Sequence, residues 1–221
     1  MPERTQARPS YSLTAEDVRR LLAVMEEPAR TVARLAILAG LRIGEILGLR
    51  WGRLDLAAGT LRVEETCYRG NFASPKTRAS RREIPLAPAV VDALMVHHSR
   101  CADTSPGALV FATRRGTPLS ANNLRTRQLR QACKSVGIPP FGWHTLRHTH
   151  SSLLHALGVP LKVTQAQLGH SRLSTTLEIY THAATEDQRG AVGKLEGILF
   201  PNVPKLGTGQ ETRNEEVQTI Q

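Results

Sequence analysis

Apolar residues recur at helical spacing in segment after segment of this chain, and most segments are bounded by proline, glycine or a capping hydroxyl. Thr14 stands three residues before Asp17, the spacing of a capping box, and Val18, Leu21, Leu22 and Met25 then share one helical face. Pro28 can open a second helix, with Val32, Leu35, Ala36 and Ala39 as its stripe and Gly40 as its stop. Residues 43–49 predict a short third helix through Ile46 and Leu47. Pro88 opens a stripe through Val90, Val91, Leu94 and His97, and Ser120 caps one through Leu124, Leu129, Cys133 and Val136 that Gly137 ends. Leu146, Leu153, Leu154 and Leu157 mark a helix stopped at Gly158, and Pro160 and Gly169 bound the next. Two more are expected, over residues 177–181 and through Val192, Leu195 and Leu199.

Only one region breaks this period. Residues 54–63 hold two short alternating runs around Gly59, and residues 82–86 form another extended piece in which Pro85 marks an edge or a strand end. They predict one small antiparallel sheet over residues 54–86. The fold class is therefore mainly α with a small antiparallel β-sheet (α+β). Internal repeats, βαβ crossovers and glycine-rich phosphate loops are missing from the sequence.

Charge narrows the partner. The formal net charge is +10, and 24 of the 29 basic residues are arginine. An arginine-rich, strongly basic chain suits a polyanion, nucleic acid first, although solvated surface charge is the plainer reading. The stretch 69–82 carries five basic residues and no acid. The stretch 100–147 carries eight against one acid, Asp103. Cys67, Cys101 and Cys133 lie far apart without a CxxC, which fits reduced thiols better than a zinc ribbon or a disulfide framework. The apolar run 35–41 is far short of the ~20 residues that span a bilayer, and the N-terminus lacks an apolar signal core. A soluble, intracellular protein with no membrane partner is expected.

Four segments hold the residues that could do chemistry. Gly142-Trp-His-Thr-Leu-Arg-His-Thr-His150 puts His144 and Arg147 on one side of a helix start. A guanidinium fork and an imidazole together suit a phosphate. A metal reading is weak, since the helical metalloprotease pattern needs Glu where Thr145 stands. Leu168-Gly-His-Ser-Arg-Leu-Ser-Thr-Thr-Leu-Glu-Ile-Tyr-Thr-His182 holds His170 and Tyr180, which singly read as a turn residue and a core tyrosine. In residues 40–51, Arg42 and Glu45 are spaced to pair. In residues 74–86, Lys76 lies in the basic loop of the sheet.

Together, from Leu13 to Ala183, these segments resemble the catalytic domain of the tyrosine recombinases, the phage-integrase family of site-specific recombinases. The resemblance implies that fold and a catalytic set of Arg42, Lys76, His144, Arg147, His170 and Tyr180, with Glu45 in support. It implies that Tyr180 attacks a DNA phosphodiester to give a 3′-phosphotyrosyl link, with a free 5′-hydroxyl to reverse the step. Arg42 and Arg147 would hold the non-bridging oxygens, His144 take the tyrosine proton, Lys76 protonate the departing 5′ oxygen, and His170 hydrogen-bond the phosphate. Neither metal nor ATP is needed, and no cofactor is expected. Backbone contacts are expected from Arg69, Arg78, Arg81, Arg114, Arg115, Arg125, Arg127 and Arg130.

The resemblance implies a cytoplasmic, nucleoid-associated protein, prokaryotic or phage-encoded, whose partner is double-stranded DNA, bound by a chain that is a monomer off DNA and a tetramer on synapsed DNA. The domain reading is a polar arm over residues 1–12, the catalytic domain over 13–200 and a disordered tail over 201–221. The family's N-terminal core-binding domain is expected to be absent from this chain, which leaves open whether it is a fragment or a complete short protein. Two alternatives to the recombinase reading stay open: a type IB topoisomerase-like enzyme, which shares the chemistry, and an integrase remnant that binds DNA without cutting it.

Overall fold

The structure is a computed structural model, and it describes residues 11–74 and 81–169. Lys76, Arg78, His170, Tyr180 and the expected helices and tail beyond residue 170 lie outside the described residues.

Helix α1 (Ala15–Val24) begins at the expected capping box: the Thr14 hydroxyl accepts from Asp17 N–H at 3.1 Å, and Thr14 N–H donates to the Asp17 carboxylate at 3.4 Å. Helix α2 (Ala29–Leu38) starts one residue after Pro28 and is buried on nearly every side, from Ala29 to Ile37. That burial is wider than the stripe in its sequence, because α1, α3 (Ile43–Leu47), α4 (Pro88–His98) and α7 (Trp143–Ala156) all pack around it. Leu21, Leu35, Ile46, Leu61, Ile84, Leu94, Phe111 and Leu146 form the innermost core.

The alternating region makes two sheets, where one was expected. Strands β1 (Leu54–Asp55), β2 (Thr60–Val63) and β5 (Arg82–Pro85) pair antiparallel, with Leu54 opposite Leu61 and Val63 opposite Arg82. Strands β3 (Thr66–Tyr68) and β4 (Asn71–Ala73) form a separate hairpin. Two acids divide them. Glu64 is held by Arg53 at 2.8 Å and Glu65 by Arg50 at 2.5 Å, which turns the chain out of the first ladder. The hairpin then packs on α3, where Gly44 and Gly48 leave room: a Cβ on Gly48 would lie 3.2 Å from the Cys67 backbone nitrogen.

The helix capped by Ser120 is α5 (Ala121–Leu124), a π turn (Arg125–Leu129) and α6 (Arg130–Ser135) in continuous succession. The wider turn brings Leu124 and Leu129, five residues apart, both into the core, a spacing a regular α-helix would splay. The second half of α7 also departs from expectation. Leu153 and Leu154 are half-buried and Leu157 is exposed, while Arg147, Thr149, His150 and Ser151 face inward. The inward face is polar and meets backbone groups of several elements: His150 Nδ1 lies 2.7 Å from the Ile37 oxygen of α2, Arg147 donates to the Gly40 and Leu168 carbonyls, and the Thr149 hydroxyl accepts from Leu13 N–H at 3.1 Å. Helix α8 (Leu161–Leu168) ends at Gly169, whose backbone is left-handed. Among the described residues no helix is long and apolar enough to cross a membrane.

Candidate active site

After α2 the chain turns at Gly40, and α3 begins with Arg42 at its mouth. Glu45 lies one turn in. Its carboxylate accepts from the Arg42 backbone N–H at 2.9 Å and from Arg42 Nη1 at 3.0 Å. A second guanidinium reaches it from β5: Arg82 Nη1 donates to Oε1 at 3.1 Å and Nη2 to Oε2 at 3.0 Å. A third, Arg147 on α7, stands 3.9 Å away. One carboxylate thus faces three cations. Burial acts to raise the Glu45 pKa, but the hydrogen bonds and charge of Arg82, the Arg42 N–H and the charge of Arg147 outweigh it and hold the group below the ordinary range.

Arg147 is almost wholly buried, and carbonyl oxygens fix it: Nη1 donates to Gly40 O and Nη2 to Leu168 O, the latter at 2.6 Å. Burial first, then the nearby Arg42 charge, push its pKa down to about 9, so it stays cationic at neutral pH. His144 lies one turn earlier and keeps an exposed edge. Partial desolvation first, then the charges of His148, Arg147 and Arg42, push its pKa down to about 4, so at neutral pH it is an uncharged imidazole. The His148 ring stands edge-on to it, centroids 4.4 Å apart.

Arg42, His144 and Arg147 line one cleft of about 900 Å³, together with Tyr68 and Arg69 of the β3–β4 hairpin and Ser120 and Asn122. Arg69 places its guanidinium over the Tyr68 ring, 5.4 Å from the centroid. The other described arginines expected to touch DNA do not line this cleft. Arg114 lines a separate cavity of about 1000 Å³ beside Phe72 and Arg50, and Arg81 lines one of about 520 Å³ among Glu64, Glu65 and Glu83. Arg115, Arg125, Arg127 and Arg130 are exposed on the surface. Among the described residues no cluster of His, Cys, Asp and Glu could hold a metal ion.

The residue that sequence reasoning passed over is Arg82, which looked like one more charge in a basic run. A signal was present. Arg82 has the same strand parity as the buried Ile84 and Leu86, so its side chain points inward, whereas Glu83 points outward to Arg62.

The family model described as Phage integrase family matches residues 11–187. A protein described as tyrosine recombinase XerC-like, from Caldanaerobacter subterraneus subsp. tengcongensis, is 30% identical over 190 residues, covering 75% of this chain and 48% of its own length. The integrase of Staphylococcus phage L54a is 30% identical over 178 residues, covering 74% of this chain and 50% of its own. The chain spans about half the length of the curated relatives it matches. Among solved structures, the Tn1549 transposon integrase in complex with circular intermediate DNA superposes with a TM-score of 0.74 at 23% identity, over 86% of this chain and 68% of that one. The crystal structure of XerA recombinase gives 0.65 at 22% identity, over 88% and 66%. The fold is that of tyrosine recombinase catalytic domains, and the chain, matched over most of its length, belongs to the phage integrase family.

Proposed function

We propose that this chain carries the catalytic centre of a site-specific recombinase, which cuts and rejoins DNA strands through a covalent 3′-phosphotyrosine at Tyr180. The observation that carries the reading is the convergence of Arg42 and Arg147, far apart in sequence, on one cleft and one buried acid. Three guanidinium groups around one carboxylate leave the site cationic, which suits a phosphodiester. Arg42, with 40% of its side chain exposed, reaches into the cleft, while carbonyls hold Arg147 in place for it. Both charges then meet the non-bridging oxygens as the attacked phosphorus gains negative charge.

An ordinary tyrosine, pKa ~10, is neutral at pH 7 and must lose its proton to attack. The uncharged His144 is free to accept it. Lys76 protonates the departing 5′ oxygen and His170 hydrogen-bonds the phosphate. The phosphotyrosyl bond conserves the energy of the broken one, so rejoining requires only a 5′-hydroxyl. The catalytic domain covers residues 13–200, and the partner is duplex DNA, held by a monomer that assembles as a tetramer on synapsed sites. Relatives of this fold have been solved in complex with DNA.

The test is a nicked suicide duplex incubated with the protein and resolved on a denaturing gel. A covalent adduct that vanishes in Tyr180→Phe is expected. No adduct on any duplex, including the chain's own flanking DNA, would overturn the reading in favour of a non-cutting DNA binder.

A further inference from the structure

We infer that Arg82 is a positioning residue of the cutting reaction: it sets the paired arginines through Glu45 and ties them to the end of α8. The inference rests on the function proposed above and extends it to a residue that touches no substrate.

The geometry is specific. The Arg82 side chain is only 7% exposed although it leaves an edge of the small sheet. Its two terminal nitrogens take both oxygens of Glu45, at 3.1 and 3.0 Å, as a two-pronged pair. Its Nε donates to the Gln167 carbonyl at 2.8 Å. One planar group therefore joins β5, α3 and α8. Each of these elements leads to a proposed reacting residue. Strand β5 begins six residues after Lys76, α3 starts beside Arg42, and Gln167 precedes His170 by three residues. Gly169 matches the arrangement: a Cβ there would lie 2.8 Å from Arg82 Nη1, so the chain passes against the guanidinium where a side chain would collide.

The carboxylate is shared. Glu45 Oε1 also accepts from Arg42 Nη1, and Arg147 Nη1 stands 3.9 Å from Oε2. With Arg82 in place both oxygens are directed, and the carboxylate sits at a fixed point between the two arginines of the cleft. Without it, a buried acid keeps only one strong partner. The charged groups around Glu45 are Arg42 on its own helix, Arg82 on β5 and Arg147 on α7. Across a small cavity stand Arg50, Arg53, Arg62, Glu64 and Glu65. Arg82 gives the strongest of the forces holding Glu45 ionised, and burial opposes them. Its removal lets Glu45 take a proton at higher pH.

The experiment compares the wild type with Arg82→Gln and Arg82→Lys. It measures the single-turnover rate of adduct formation from pH 4 to 9, duplex affinity, the melting temperature and the Glu45 carboxyl titration by 13C NMR. Arg82→Gln should slow cutting by about 10–100-fold, the range typical when a group that orients a ligand is lost. Duplex affinity should stay within about twofold, since Arg82 makes no phosphate contact of the counterion-releasing kind. The acidic limb of the rate profile and the Glu45 midpoint should both move up, and Arg82→Lys should restore part of the rate. If Arg82→Gln is too unstable to assay, Arg82→Lys carries the test, with a smaller loss and a smaller shift. Unchanged rate and unchanged Glu45 midpoint in a folded variant overturn the proposal. So does a loss of affinity equal to the loss of rate, which would make Arg82 a DNA contact. If the wild type forms no adduct, the cutting function fails, and the Glu45 titration still decides whether Arg82 fixes that charge.

Discussion

Glu45 is the residue on which the cleft depends. It is buried with cations on several sides, so removing its charge strands guanidinium groups in a low-dielectric site. Glu45→Gln should cost about 3–5 kcal/mol, the usual penalty for breaking a buried pair from one side, read as a shift in the urea midpoint. Its pKa is depressed on folding, so its contribution is complete above the ordinary value of 4.5 and is lost as pH falls through the lower folded value. His144 behaves in the opposite chemical sense with the same outcome. It binds a proton near 6.5 when unfolded and only near about 4 when folded, so acid between those values favours the unfolded chain. The base role proposed for His144 ties the same shift to the working range. The acidic limb of kcat/KM for adduct formation should fall near pH 4 rather than 6.5 where His144 controls it, measured on the free enzyme. A limb at 6.5 that persists in His144→Gln would show that another group takes the tyrosine proton.

Among the elements, α3 and its hairpin show what was legible. The helical period marked α1, α4 and α8 almost to their ends, because capping hydroxyls, Pro88 and Gly169 punctuate the chain chemically. The alternating runs over residues 54–63 did not show that one sheet becomes two, because the division falls at Glu64 and Glu65, which pair with Arg53 and Arg50. The buried face of α7 was also hidden, since it is written in arginine, histidine, serine and threonine, and partners distant in sequence make those letters internal. In the site, Arg42, Glu45, His144 and Arg147 were visible as motifs, whereas Arg82 needed its strand parity to be weighed against its charge. The contact of α3 with β3 makes a prediction of its own. A methyl group on Gly48 would meet the backbone of Thr66 and Cys67 at 3.2–3.3 Å, with no flexible side chain to move aside. Gly48→Ala should therefore destabilise by about 1–3 kcal/mol in a chemical melt, as overpacking does, and displace Tyr68 and Arg69 from the cleft.

Among the described residues, the arginines expected to serve the reaction and those expected to meet DNA are placed differently. Arg82 and Arg147 are internal, and Arg42 is shared between Glu45 and the cleft. Arg69, Arg114, Arg115, Arg125, Arg127 and Arg130 remain exposed, the π turn holding two of them on the outer side of its helix. Duplex affinity should fall with salt by about 0.9 in log–log slope for each phosphate neutralised. Replacing Arg125 or Arg127 by Ala should lower that slope by about one if each meets a phosphate, in a filter-binding titration. The internal arginines have a further consequence, for the protein without DNA. Three guanidinium groups close around one carboxylate leave unmet repulsion inside the folded chain, and unfolding relieves it. A small tetrahedral oxyanion that occupies the cleft would counter that repulsion only in the native state. Sulfate or vanadate should therefore raise the melting temperature beyond what chloride does at equal ionic strength, with the gain growing as ln(1 + [L]/Kd). In DNA-free protein, heat resistance becomes a gauge of how completely the phosphate seat is assembled.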